Sequence, residues 1–444
     1  MHEKTLLSAR WVVPVEPDGA VLEDHCVALR DGLIEAVLPR AAAEARFSSY
    51  EKVDLGEHAL IPGLVNAHTH AAMSLMRGMA DDLPLMRWLE EHIWPAEMKH
   101  VSPQFVKDGT LLACAEMLRG GVTCLNDMYL FPAAAIDAAL AAEMRISAGM
   151  VVFEFPSAYG SDPDDYLAKG LALRDQWREH PMVSFCLAPH APYTVSDATF
   201  RKIAKIAGEV ELPVHIHLHE TGEEIERSLT EHGVRPIERL QRLGLLGPGL
   251  IAVHAVHLTD AEIALLARHG ASVAHCPSSN LKLASGFAPV AKMAAGGINL
   301  SLGTDGAASN NRLDMFEEMR LAALLAKAVA RDAEVLPAHA ALRAATLGGA
   351  AALGLESRIG SITAGKSADL TAVRLAGPDA GAGLMPCYDP VSHLVYAAGR
   401  RDVTDVWVAG KHLLRDGILR NPVFSGLDTR SKLWQNVLRA PAES

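Results

Sequence analysis

Over the first 58 residues of the chain, apolar and polar positions alternate in short runs: Leu6 to Pro14, Cys26 to Arg30, a turn at Asp31-Gly32, then Leu33 to Leu38. A period of two between turn residues predicts half-buried strands. The signature returns near the other end in Ser367 to Arg374 and in Val403 to Leu414, which a turn at Ala409-Gly410-Lys411 interrupts. Two β-rich ends around a different middle predict one small β-sandwich lobe built from both termini, residues 1–58 plus 362–444.

The middle has a βα rhythm. Short apolar or β-branched runs alternate with longer alanine-rich stretches of helical period, such as Asp108 to Arg119 and Met315 to Arg331. Eight runs read as strands: Leu60 to Ala67, Val122 to Asp127, Ile146 to Phe153, Val183 to Ala188, Pro213 to His219, Leu250 to Val256, Ser272 to Cys276 and Ile298 to Thr304. Their ends recur at roughly the 30 or more residues that one strand plus its crossover helix requires. Residues 59–361 are therefore expected to close into a (β/α)8 TIM-type barrel, an α/β fold. An open doubly wound sheet would carry a Gly-rich phosphate turn after its first strand; Gly63 stands alone there. Pro378 to Tyr388 reads as a loop.

Composition narrows the partners. Half of the 444 residues are hydrophobic, 21% are charged, and 41 basic against 53 acidic side chains leave a net charge of −12. That balance gives no support to nucleic acid or an anionic membrane as a partner. The six cysteines (Cys26, Cys114, Cys124, Cys186, Cys276, Cys387) are far apart with no CxxC pair, which fits isolated thiols in a reducing compartment. With no signal-peptide pattern and no run of 18 apolar residues, the expected location is cytoplasmic.

Chemistry concentrates at the C-terminal ends of the strands, where barrel enzymes place their sites. His68 and His70 lie two apart on an extended segment, so both imidazoles point to one side and can share a cation; the alternative is a pair of structural histidines. In His215-Ile216-His217-Leu218-His219-Glu220, His217 is the preferred third ligand because its spacing leaves the Glu220 carboxylate beside the metal's open position. His215 and His219 then fill the barrel or support the ligands. Asp305, in Gly303-Thr304-Asp305-Gly306, supplies an anionic fourth ligand with room for a substrate, unless it is only a helix cap. Three neutral imidazoles and one carboxylate around a dication can lower the pKa of a bound water from 15.7 towards about 7. Either His254 or His257 is placed to orient that water.

Together, Pro62-Gly63-Leu64-Val65-Asn66-Ala67-His68-Thr69-His70, His217 with Glu220, His254 and Thr304-Asp305 resemble the amidohydrolase superfamily in its mononuclear deaminase branch. Further strings look like the 5-methylthioadenosine/S-adenosylhomocysteine deaminases: Trp94-Pro95-Ala96-Glu97, Asn126-Asp127-Met128-Tyr129, Ala188-Pro189-His190-Ala191-Pro192-Tyr193, the run from Ser279 to Gly286, and Gly303 to Asn310. The resemblance implies one zinc ion held by His68, His70, His217 and Asp305, although the same donors accept iron or manganese. It also implies that Glu97 and His190 contact the ribose of an adenine nucleoside, Glu97 by accepting from both vicinal hydroxyls. Without the resemblance Glu97 reads as a solvated helix residue.

On this reading Asp305 takes a proton from the attacking water, and Glu220, its pKa raised by burial, protonates the ring nitrogen next to carbon 6. Ammonia leaves and an inosine-type product remains. One departure bears on the substrate: where some members of the family are expected to place an arginine past the third strand, Met150 to Pro156 holds no basic residue. Met73, Trp88, Phe153 and Phe155 are candidates for a methylthio pocket, which favours methylthioadenosine over S-adenosylhomocysteine. A triazine, guanine-like or pterin hydrolase and a catalytically silent zinc barrel are the rival readings. Arg77 to Leu83 read as a cover over the site, and a homodimer is compatible with the architecture.

Overall fold

The computed structural model describes residues 4–439, and among these two sheets form. Strands β1 (Lys4–Val12), β2 (Leu22–Arg30), β3 (Leu33–Pro39), β4 (Glu51–Asp54) and β5 (His58–Pro62) open the chain. Next come β6 (Leu64–Thr69), β7 (Val122–Asp127), β8 (Arg145–Val152), β9 (Val183–Pro189), β10 (Val214–Leu218), β11 (Leu250–His254), β12 (Ser272–His275) and β13 (Asn299–Leu302). The chain closes with β14 (Leu370–Arg374), β15 (Val403–Val408), β16 (Lys411–Arg415) and β17 (Ile418–Leu419).

Strands from the two ends make one mixed nine-stranded sheet in the order β17-β16-β15-β14-β5-β1-β2-β3, with β4 alongside β1. The seam between the ends is the antiparallel pairing of β5 with β14, from Leu370 opposite Pro62 to Arg374 opposite His58. Alternate residues of these strands, among them Leu7, Val27, Leu60, Leu370 and Trp407, meet in one apolar cluster. Residues from both ends thus share one core.

The other eight strands pair in chain order, β6 through β13, as a nearly closed parallel barrel. Every residue of β6, β7 and β8 is buried, as expected of a parallel sheet covered on both faces. Beyond the last strand, the Asp305 amide donates to His68 O at 3.0 Å, bringing the end of the barrel back to its beginning. Helices start at side-chain caps: Asp162, Ser196, Thr221, Thr259 and Asp314 each accept a backbone N–H of the first turn.

One expected strand is divided. The run Leu60 to Ala67 is extended throughout but changes sheets at Gly63, so that β5 belongs to the mixed sheet and β6 to the barrel. Gly63 N–H donates to Asp369 O and Leu64 N–H to Gly121 O. A Cβ at Gly63 would lie 2.2 Å from Thr123 Oγ1, so only glycine fits the crossing.

The chain divides into two compact units. One takes residues up to Asn66, Glu116–Cys124 and Asp314–Pro422; the other takes Ala67–Ala115, Leu125–Leu313 and the chain from Val423. Helix Leu427–Arg439 lies in the second unit, where the Trp434 indole donates to Asp108 Oδ2 at 3.0 Å. Among the described residues no helix is long and apolar enough to cross a membrane.

Candidate active site

Alternation along β6 puts His68 and His70 on one side, and β10 and the turn after β13 bring His217 and Asp305 to the same place. One donor atom from each lies within 4.8 Å of all the others. Asp305 Oδ1 is 3.2 Å from both His68 Nε2 and His70 Nε2, and His217 Nε2 is 3.2 Å from His68 Nε2. The opposite ring nitrogens are held from behind: His70 Nδ1 by Met128 O at 2.6 Å, His217 Nδ1 by His190 O at 2.8 Å, and His68 Nδ1 by His215 Nε2 at 3.1 Å. The two carbonyls fix the proton of His70 and His217 on Nδ1, so their Nε2 lone pairs face inward, which is how ligating imidazoles are oriented. Lone pairs converging this closely on a carboxylate fit a dication.

The electrostatics point the same way. Burial holds His68 down at about 4; for His70 burial also opposes charge, but the Asp305 hydrogen bond outweighs it and lifts the ring to about 9. Burial disfavours the Asp305 anion too, yet His68 and His70 keep its carboxyl well below the usual range. The Asp305 anion thus favours positive charge beside it, which a bound dication would supply in place of the His70 proton. Asp305 Oδ2 accepts from Ser279 and Ser309, each at 2.6 Å, leaving Oδ1 for the centre. Asp305 itself has φ +60°, and a Cβ at Gly303 would sit 2.7 Å from His68 Cβ. Small flanking residues are what let the carboxylate approach the two histidines.

Beside the cluster, Glu220 and His254 are both buried, with Glu220 Oε1 3.8 Å from His254 Nε2. Burial raises the Glu220 pKa, opposed by His254. His254 Nδ1 is fixed by Asn280 Oδ1 at 2.8 Å, and its ring stacks on His217 at 21°. His257 instead bonds Ser285 O at 2.8 Å and is not among the residues lining the cavity, whereas His254 is. His215 backs His68, while His219 has both ring nitrogens engaged, by His257 O and by the Ile237 amide.

A cavity of about 480 Å³ opens over these groups. Glu97 and His190 both line it. Burial raises the Glu97 pKa, with the Tyr129 hydroxyl pulling the other way, and burial holds His190 down at about 3. His190 Nδ1 pairs with Thr194 Oγ1 at 3.2 Å, and its ring lies 4.9 Å from that of Phe153. Met73, Trp88, Phe153 and Phe155 all line the cavity, joined by Leu85, Leu89 and Trp94; no lysine or arginine does. Much of this apolar wall comes from Leu85–His100, a helical stretch widened to a π turn over Leu89–Ile93. Pro95 has no N–H for the regular helical bond, and π turns of this kind recur at functional sites.

Several supporting residues escaped sequence reasoning. Ser279, Asn280 and Ser309 sit in strings that carry the family resemblance, but their partners are visible only in space. Glu224 left a signal: Thr221-Gly222-Glu223-Glu224 has capping-box spacing. Thr221 does cap the helix, while the Glu224 carboxylate reaches further back to the amides of His219 and Glu220, at 2.9 and 2.8 Å.

Comparison with known proteins shows the family. The amidohydrolase family model matches residues 59–413. A 5-methylthioadenosine/S-adenosylhomocysteine deaminase of Saccharophagus degradans is 45% identical over 99% of this chain and 98% of its own; one of Teredinibacter turnerae is 45% identical over 98% and 97%. The crystal structure of an adenosine deaminase from Xanthomonas campestris with bound zinc superposes with a TM-score of 0.95 at 50% identity, covering 98% of each chain. An atrazine chlorohydrolase of Arthrobacter aurescens shares the fold, with a TM-score of 0.89 at 24% identity over 98% of this chain and all of that one. The chain belongs to the amidohydrolase family, among its hydrolytic deaminases.

Proposed function

We propose that this protein hydrolyses the 6-amino group of 5′-methylthioadenosine, with S-adenosylhomocysteine and adenosine as weaker substrates, releasing ammonia and an inosine-type product. His68, His70, His217 and Asp305 would hold one zinc ion, a donor set that also suits iron or manganese. The observation that carries the reading is the division of one cavity into an acid–base end and an apolar end, with Glu97 and His190 also on its wall.

A dication held by His68, His70, His217 and Asp305 would lower the pKa of a water there far enough for attack near neutral pH. Asp305 accepts one proton of that water as its oxygen bonds to carbon 6. Glu220 delivers a proton to the adjacent ring nitrogen, so no full negative charge builds up on the ring. His254, held by Asn280, orients the water. Asp305 then passes its proton to the amino group, the C–N bond breaks and ammonia leaves. The remaining hydroxyl proton returns to Glu220 as the new carbonyl forms, which restores both carboxyls. Glu97 accepts hydrogen bonds from the two ribose hydroxyls, and His190 binds the sugar beside it.

The wall of Met73, Trp88, Phe153 and Phe155 suits a methylthio group. With no cation lining the cavity, a homocysteine carboxylate would be desolvated without a partner. Adenosine itself is the second reading, supported by the name of the 50%-identical relative. The deciding experiment is ammonia release by zinc-loaded protein given methylthioadenosine, S-adenosylhomocysteine, adenosine and adenine in parallel. The highest kcat/KM is expected for methylthioadenosine, with the free base inert. Turnover of none of the nucleosides would overturn the proposal and bring triazine, guanine-like and pterin substrates forward.

A further inference from the structure

Lys282 ends the short helix Pro277–Lys282, which follows β12. Its ammonium has three N–H bonds and three partners: Asp81 Oδ1 at 2.5 Å, Ala308 O at 3.2 Å, and Asn311 Oδ1. Two of these lie in the loop that follows Asp305. The third lies far away in sequence, in the segment between His70 and the helical stretch Leu85–His100. Arg77 bonds Asn311 O from the same segment, and the Trp88 indole donates to Ala80 O at 3.2 Å. Side chains of this one helix thus reach Asp305 through Ser279, His254 through Asn280, and the segment leading into the cavity's cover through Lys282.

We infer that Lys282 is a positioning residue for substrate binding: through Asp81 and Asn311 it fastens the segment Arg77–Pro84, and so sets the stretch Leu85–His100, with Glu97, over the cavity. Charge-assisted bonds are the strong ones, and with the Lys282 side chain 21% exposed and that of Asp81 37%, solvent screens the contact only in part. The inference rests on the nucleoside reading for its kinetic consequence but not for its structural one.

The test uses full-length zinc-loaded protein carrying Lys282→Met, Asp81→Asn or both. Amide hydrogen exchange over residues 77–100 should quicken in each variant, without substrate. KM for methylthioadenosine should rise about ten-fold for Lys282→Met, the scale of one lost charge-assisted contact, with kcat nearly kept. Adding Asp81→Asn to Lys282→Met should cause little further loss, because the two act as one unit. Asp81 is on the surface, so Asp81→Asn keeps the test decisive should Lys282→Met fold poorly. Unchanged exchange, or a loss confined to kcat, would overturn the inference and assign Lys282 to the catalytic helix alone. Absence of nucleoside turnover by the unaltered enzyme would instead count against the proposed function and leave the exchange result standing.

Discussion

Glu220 and Glu224 are four residues apart, equally buried, and different in what they do. Glu220 faces the cavity, and burial keeps it protonated to higher pH than an ordinary carboxyl. As the proposed acid of the reaction it would be lost when it ionises, so kcat/KM should fall on the alkaline side through its raised pKa. Glu220→Gln should lower kcat by about a thousand-fold, within the usual range for a lost proton donor, with zinc content by atomic absorption unchanged; near-normal turnover would remove Glu220 from the mechanism. Glu224 instead faces two backbone amides, and burial lifts its pKa to about 8 against the pull of those hydrogen bonds. A carboxyl with a pKa near 4.5 unfolded and about 8 folded stabilises the fold fully below pH 4.5, and that contribution is lost as pH rises to 8. Denaturant titrations of Glu224→Gln should therefore show less decline in stability between pH 5 and 8 than the native chain; equal slopes would mean that Glu224 is ionised in the fold.

Among the elements, the strand ends were easier to read than the turns beyond them. HxH on an extended run specifies its own geometry, because alternation alone puts both rings on one face. Asp305 was legible as a strand-end carboxylate between glycines, but its left-handed backbone and its two serine partners depend on how neighbouring loops pack. Gly303 shows the constraint: Gly303→Ala would press a methyl group against His68, costing about 1–3 kcal/mol as overpacking does. Thermal unfolding should fall accordingly and zinc affinity should weaken; a variant as stable and as tight-binding as the native chain would show that the close approach is dispensable. The strand expected over Leu60 to Ala67 illustrates the converse, since both halves are extended and apolar. Only the contact of Gly63 with Thr123 and the hydrogen bonds to Asp369 and Gly121 reveal that they belong to different sheets.

For the molecule as a whole, the converging histidines are expected to couple metal binding to stability. Chelation leaves inward lone pairs and a buried carboxylate without a cation, so calorimetry should give a lower unfolding temperature for stripped protein; ligand at a hundred times its Kd contributes about 2.7 kcal/mol. Identical transitions with and without zinc would mean that the cluster does not hold it. The chain by itself determined the eight-fold βα rhythm, the β-rich ends and the metal-type donor pattern, because period and spacing along a strand are local properties. Trp88 and Phe155 could be suspected from sequence as pocket lining, but their companions Leu85, Leu89 and Trp94 could not, since an apolar residue reads the same in a core and in a cavity wall. Glu97 reads as solvated until the fold sets it, half-buried, on the cavity wall. The place of His254 rather than His257 on the cavity wall, the supports Asn280 and Ser279, and the reach of Lys282 to Asp81 are visible only in the tertiary structure. Each depends on loops from different strands meeting at one end of the barrel, and side chains 201 residues apart along the chain become partners only when the barrel closes.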